Sequence, residues 1–534
     1  MSVLYGRRTF LRQALIACGA TGLLAACGPA APAPSATSAP AAAATAAPAG
    51  ATSAPKRGGT LKVALNSDII GIDPHGASAG VDRNVYTSVY NGLVAPDKNL
   101  NIVPDLADSW TTPDPTTYVF KLRPNVKFHD GTACDATAVK QNFDWILDPA
   151  NASPRKPEID DVDQVSLVDP LTVKITLKSA FAPFLSIISD RAGYIVSPTA
   201  RAKFGKDFTR NPVGTGPFQF AEWVKDDHAT FKRFDGYFES GIPNFDQITY
   251  RPIPDLSVGL TELKTGNVDF LYSVDPKDVP DIKSTPNLVY LEGPGVGYQG
   301  LWINTAKGPL SNKSLRQAVN LAVDREALLA AVYFGIGQIA AGPIPPGLTN
   351  FFDSSVAYVK RDVAAAKQKL TEGGQPNGFS MVLKSQSGSP IQDKITQLVQ
   401  AQLGEIGIQV QIQTVEFGAL LNAGDQGDFD ALSLGWSGRI DPDGNIEPIF
   451  QTKGAFNYGK YSSQAVDDAI VKERQAADTA SRKQIFLELQ QTINDDAAYV
   501  FTYFPPTIFA ATNTVQGFQI TPDGLMRFKS TWKA

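Results

Sequence analysis

Three stretches of the chain alternate apolar and polar residues with a period of two: TYVFKLR (117–123), LTVKITLK (171–178) and IQVQIQTV (408–415). In an extended backbone that period puts Tyr118, Phe120 and Leu122 on one face, and Leu171, Val173, Ile175 and Leu177 on another, as half-buried strands require. Helical periods lie between them. SLRQAVNLAVDREALLAAVYFG (314–335) carries Leu315, Val319 and Val323, then Leu328, Leu329 and Val332, with Asp324 placed to cap its second half and Gly335 to stop it. Residues 462–496 read as two amphipathic helices. Interleaving of the two periods predicts a mixed α/β body. With 534 residues, 43% of them hydrophobic and 19% charged, the chain can build more than one core, and a cleft between two lobes is the expected binding place. There is no repeat of solenoid period.

The N-terminus is of a different kind. MSVLYGRRTFLRQALIACGATGLLAACG has a basic front with Arg7, Arg8 and Arg12, an apolar stretch too short for a secure bilayer crossing, and small residues before Cys27. Order and spacing resemble a twin-arginine export leader (1–26) ending in a lipobox, whose Cys27 becomes the lipid-bearing first residue. Residues 27–57 are rich in Ala and Pro and read as a tether, with a span of about 30 Å for a flexible chain of that length. The expectation is an exported body anchored by lipid at the outer face of the cytoplasmic membrane or in the periplasm.

Composition and motifs exclude several function classes. The formal charge is −5, and without the three leader arginines it becomes −8, which leaves no basic surplus for nucleic acid. Cys18 leaves with the leader and Cys27 is engaged, so Cys134 reads as a packed thiol and no internal disulfide is expected. No metal-ligating or phosphate-cradling spacing occurs, so neither metal nor cofactor is expected and an ATPase must be a separate subunit. GASAG (76–80) fits a serine-hydrolase elbow around Ser78, with His75 nearby, but the flanking sequence lacks the strand and helix that this chemistry needs. No enzymatic activity is expected.

From residue 58 onward the landmarks resemble the extracellular solute-binding proteins, family 5, of bacterial peptide, nickel and glutathione ABC importers. The densest stretch is PDLADSWTTPDPTTYVFKLRPNVKFHDGTACDATAVKQNFDW (104–145), followed in family order by VGTGPFQFAEW (213–223), ELKTGNVDFL (262–271), 301–328 and GDFDALSLGW (427–436). The resemblance implies a two-lobed periplasmic-binding-protein type II fold (cluster C) with an extra domain. Lobe one would be 58–85, 205–297 and 501–534, with an inserted domain at 86–204, and lobe two would be 298–500. It implies a monomer that encloses a small solute by hinge closure and passes it to an ABC permease with partner ATPases. A solute sensor signalling through a partner would have the same sequence.

SLGWSGRIDPDGN (433–445) carries the solute question. In peptide-binding members of the family, the residue three positions after the cleft tryptophan is often an aspartate that holds the peptide's ammonium. Counted from Trp436, that position is Arg439, whose five-donor fork suits a carboxylate. This points to a peptide, peptide derivative, opine-like or other anionic solute. A salt bridge to Asp441 or Asp443 is the competing reading, and a third has Asp443 orienting Arg439 toward the solute. Trp436, Ser437, Tyr298, Tyr503 and Tyr86 complete the candidate binding set.

Overall fold

A computed structural model describes residues 54–76 and 79–534. Cys27, the leader, nearly all of the tether and Ser78 lie outside the described residues. Three sheets carry the body. In the first, seven strands run in the order Leu288–Gly293, Thr507–Thr512, Phe270–Leu271, Thr60–Leu65, Gln247–Pro252, His228–Arg233 and Phe218–Val224. The second has six strands, in the order Gln338–Ile339, Tyr499–Phe504, Gln299–Ile303, Ala431–Ser433, Ser380–Gln386 and Gln409–Val415. The third is an antiparallel sheet of four, in the order Ala107–Asp114, Thr117–Leu122, Thr172–Leu177 and Val162–Asp169.

The period-two stretches become strands for the reason their pattern gives. Tyr118, Phe120, Leu122, Val173, Ile175 and Leu177 all turn inward and join Phe128, Val139 and Phe143 in one core. Burying each such side chain contributes roughly 1.5–3 kcal/mol. The helical stretch at 313–333 splits in two, Lys313–Ala322 and Arg325–Tyr333. Asp324 makes the break, its carboxylate accepting the Ala327 N–H at 2.9 Å. Phe334 and Gly335, both left-handed, end the second helix. Helices Gln464–Gln475 and Thr479–Asp495 follow the same logic farther on.

Two crossings join the first sheet to the second, between Gly293 and Gln299 and between Phe504 and Thr507. They abut so closely that a Cβ on Gly295 would lie 2.4 Å from the Pro505 carbonyl oxygen. Strand Tyr499–Phe504 pairs with Gln299–Ile303 and belongs to the six-stranded sheet. The return crossing is therefore Pro505-Pro506 rather than residue 501: six consecutive buried residues favour a continuous ladder, and the prolines end it. Likewise, the expected edge at 85/86 falls inside helix Arg83–Val89, whose Val85, Tyr86 and Val89 pack into the core of the seven-stranded sheet.

The four-stranded body also touches the six-stranded one. The Ala182 N–H donates to the Arg474 carbonyl at 2.8 Å. Thr349 Oγ1 donates to the Asn99 carbonyl at 3.3 Å, and Asn350 Nδ2 to Asn101 Oδ1 at 3.2 Å.

Candidate functional site

Between these two bodies lies a cavity of about 300 Å³. Its wall takes Arg83 from the seven-stranded body, Glu158, Asp161, Asp190 and Arg191 from the four-stranded one, and Trp436, Arg439, Asp441, Asp443, Glu447 and Arg474 from the six-stranded one.

The loop that delivers Arg439 is built around Asn445, a residue that no local sequence pattern marks. Its Oδ1 accepts the Arg439 N–H at 2.8 Å and the Trp436 Nε1–H at 3.2 Å, while Nδ2 donates to the Val296 carbonyl at 3.0 Å. Fully buried, it ties the loop to the crossing strand segment. Gly438 has φ +83°, and a Cβ there would meet the Val296 carbonyl oxygen at 2.1 Å. Gly444 leaves room for the Arg439 stem, which would lie 2.7 Å from an added Cβ.

Arg439 has no carboxylate within ion-pairing distance among the described residues. Its Nη1 donates to the Gly438 carbonyl at 2.8 Å and, weakly, to Ser437 Oγ at 3.4 Å. Its guanidinium sits 4.9 Å from the Trp436 ring centroid, and Phe456 continues that aromatic wall at 5.4 Å. Burial, then the neighbouring charges of Arg83 and Arg191, lower its pKa to about 10, against the pull of Asp190 and Glu158. It remains a cation at neutral pH. The acids around it are already taken: Arg83 pairs with Asp190 at 2.7 Å, and Arg155 with Glu158. Burial works to raise the Asp190 pKa, but the Arg83 and Arg191 charges reverse it and bring the value to about 2.

The expected partners of Arg439 serve other arginines. Asp443 accepts from Arg474 Nε at 2.6 Å and Nη2 at 3.0 Å, and Asp441 from Arg482 at 2.9 and 2.7 Å. Helix Asp443–Phe450 starts at this point and turns both carboxylates toward helices Gln464–Gln475 and Thr479–Asp495, away from Arg439. Neither the Asp441/Asp443 salt bridge nor the orienting role of Asp443 occurs. On the wall of the same cavity, Glu447 meets Arg474 only at 3.4 Å, and Asp161 lines it from the other body. Burial raises the Glu447 pKa.

The candidate tyrosines do not line this cavity. Tyr298 is fully buried, and its hydroxyl donates to the Asn445 carbonyl at 2.9 Å. Tyr503 hydrogen-bonds Tyr333, and the two line a separate cavity with Pro505 and Pro506. Tyr86 donates to the Gly71 and Asp73 carbonyls at 3.1 and 3.3 Å. Each occupies the inward face of its element. Trp436 does reach the cavity, and the exposed Ser437 accepts a weak hydrogen bond from Arg439. Arg83, Arg191, Glu447 and Arg474 also line the cavity, and no sequence motif marks them beyond the adjacent acid–base pair Asp190-Arg191.

His75 is not placed to act as a base. Its Nε2 bonds the Tyr194 carbonyl at 2.8 Å, and Nδ1 faces Arg201 Nη2 at 3.3 Å. Burial first, then Arg201, lowers its pKa to about 3. A depressed histidine adds stability that is fully present above its unfolded pKa of about 6.5 and fades as pH falls toward the folded value. His75→Gln can keep a donor on the Tyr194 carbonyl and cannot take the proton. Its melting temperature should therefore fall less than the wild type's on acidification from neutral pH, as a calorimetric series would read. Cys134 is buried, and burial pushes its thiol pKa up.

Residues 101–457 match the bacterial extracellular solute-binding proteins, family 5, middle region. The glutathione-binding protein GsiB of Pectobacterium atrosepticum is 32% identical over 480 residues, covering 88% of this chain and 93% of that one. This chain belongs to that family. Its fold superposes on the ABC transporter-associated binding protein DppA of Helicobacter pylori, solved with the peptide STSA, at a TM-score of 0.79 and 26% identity, covering 90% of this chain and 98% of that one. It also superposes on AgaA of A. tumefaciens, solved with agropinic acid, at a TM-score of 0.77 and 28% identity, covering 89% and 99%. The fold is the family's two-lobed α/β type, and the protein is the solute-binding component of an ABC importer.

Proposed function

We propose that this family 5 protein captures a small peptide-like zwitterion, with its carboxylate on Arg439 and its ammonium toward Glu447 and Asp161. One observation carries the reading: a half-buried, charged guanidinium faces an interbody cavity with no acid in ion-pairing reach among the described residues. A buried charge without a partner is costly, so a carboxylate arriving there gains both the pair and the release of that cost. The cavity size suits a solute no larger than a short peptide. The names and ligands of the relatives (glutathione, a short peptide, agropinic acid) supply the same chemical class. The aromatic pair Trp436 and Phe456 would cover the apolar middle of the solute.

Cys27, lipidated after twin-arginine export, anchors the monomer, and the chain from 27 to 57 tethers it near its permease and ATPases. The lobes move about 294–298 and 505–506, and the solute favours closure by binding the closed form better.

Titration calorimetry with glutathione as first probe, beside its carboxyl-amidated form, tests the anionic end. Heat of binding with the free acid and its loss on amidation are expected. Equal binding of the amide would overturn the proposal.

A further inference from the structure

Beside the cavity, three carboxylates share two guanidiniums. Asp441 gives both oxygens to Arg482, and Asp443 gives both to Arg474. Glu473 is the third, with its side chain 1% exposed. Its Oε2 accepts from Arg482 Nε at 3.0 Å and Nη2 at 2.8 Å. Its Oε1 is sealed from water and meets no N–H or O–H donor, and the negative charge of the neighbouring Asp443 bears on it. Two carboxylates cannot hydrogen-bond unless one of them carries a hydrogen.

We propose that Glu473 is kept as a carboxylic acid whose Oε1–H donates to Asp443, and that this proton positions Arg474 at the lobe contact. Asp441 and Asp443 each have a bidentate guanidinium, whereas Glu473 has only a share of Arg482. Burial, then Asp443, raise its pKa, with Arg482 opposing and Asp441 adding. Glu447 approaches the same cluster through Arg474, and Ser186 of the opposite body reaches Asp441 at 3.4 Å.

Arg474 connects the proton to function. Its carbonyl accepts the Ala182 N–H, its guanidinium lies 5.3 Å from the Phe181 ring centroid, and it lines the cavity. An ionised Glu473 would set a second anion against Asp443 and compete for Arg474. Because the folded pKa is raised, the stabilisation is full below the unfolded value of about 4.5 and declines as pH rises toward the folded one.

Glu473→Gln keeps a donor and loses the titration, whereas Glu473→Leu loses both. Infrared spectra of the intact protein at neutral pH should show a protonated-carboxyl C=O band that is missing in Glu473→Gln. Glu473→Gln should melt at or above the wild-type temperature, by a margin that grows as pH rises from about 5 to 9, while Glu473→Leu melts lower throughout. Absence of the band, or a margin that does not change with pH, or equal damage from Gln and Leu, would overturn the proposal.

Discussion

Replacing Arg439 with alanine should abolish most solute affinity and leave the empty protein as stable as before. Truncating one partner of a buried charge pair costs roughly 2–5 kcal/mol in binding, or about thirtyfold to a few thousandfold in Kd. Little should be lost from the fold. The guanidinium donates to one neighbouring carbonyl and weakly to Ser437, and it stands among the charges of Arg83 and Arg191. Removing it relieves that repulsion, so the melting temperature without solute should hold or rise slightly. Arg439→Lys keeps the charge but not the planar fork and should recover only part of the affinity. The pairing of the two readouts decides the matter. Affinity lost at constant stability supports a carboxylate on Arg439; a parallel fall in both would mean that Arg439 serves the loop alone.

What the sequence revealed and what it hid follow from the range of the interactions. Strands at 117–122 and 172–177 were legible because burial imposes a period of two within each strand. The caps and breaks were legible for the same local reason, as with Asp324 and Ala327. Trp436 and Arg439 stood out because their loop is short and glycine-rich. Sequence offers only neighbours as partners for Asp443, and the arginine that it does hold, Arg474, lies 31 residues on, in another helix. Arg83 and Asp190, 107 residues apart, meet only once the fold exists. Tyr298 and Tyr503 sit near the crossings, as expected, but nearness to a hinge says nothing about which face a side chain takes. The fate of Tyr298 was decided by its bridge to Trp436 and its bond to Asn445.

The largest loss of stability in this region should come from Arg482→Met. Arg482 is 7% exposed and holds Asp441, 8% exposed, and Glu473 at once, with the Phe351 and Phe486 rings 5.2 and 5.3 Å from its guanidinium carbon. Methionine fills much of the same volume between the rings, so the cavity term is small and the electrostatic term dominates. Asp441 would keep only the Ser186 hydroxyl and the Asp443 N–H as donors, and a buried carboxylate left without its cation costs roughly 3–5 kcal/mol. Denaturant unfolding should show a lower midpoint with little change in slope. Adding Asp441→Asn removes the orphaned charge and should return a large part of the loss, a coupling that a double-mutant cycle would measure directly. If the two changes merely add, the pair is not what holds the start of helix Asp443–Phe450 in place. The position of that start matters beyond stability. It carries Asp443, and through Asp443 the arginine whose main chain meets Ala182, so weakening Arg482 should also loosen the contact between the two bodies around the solute.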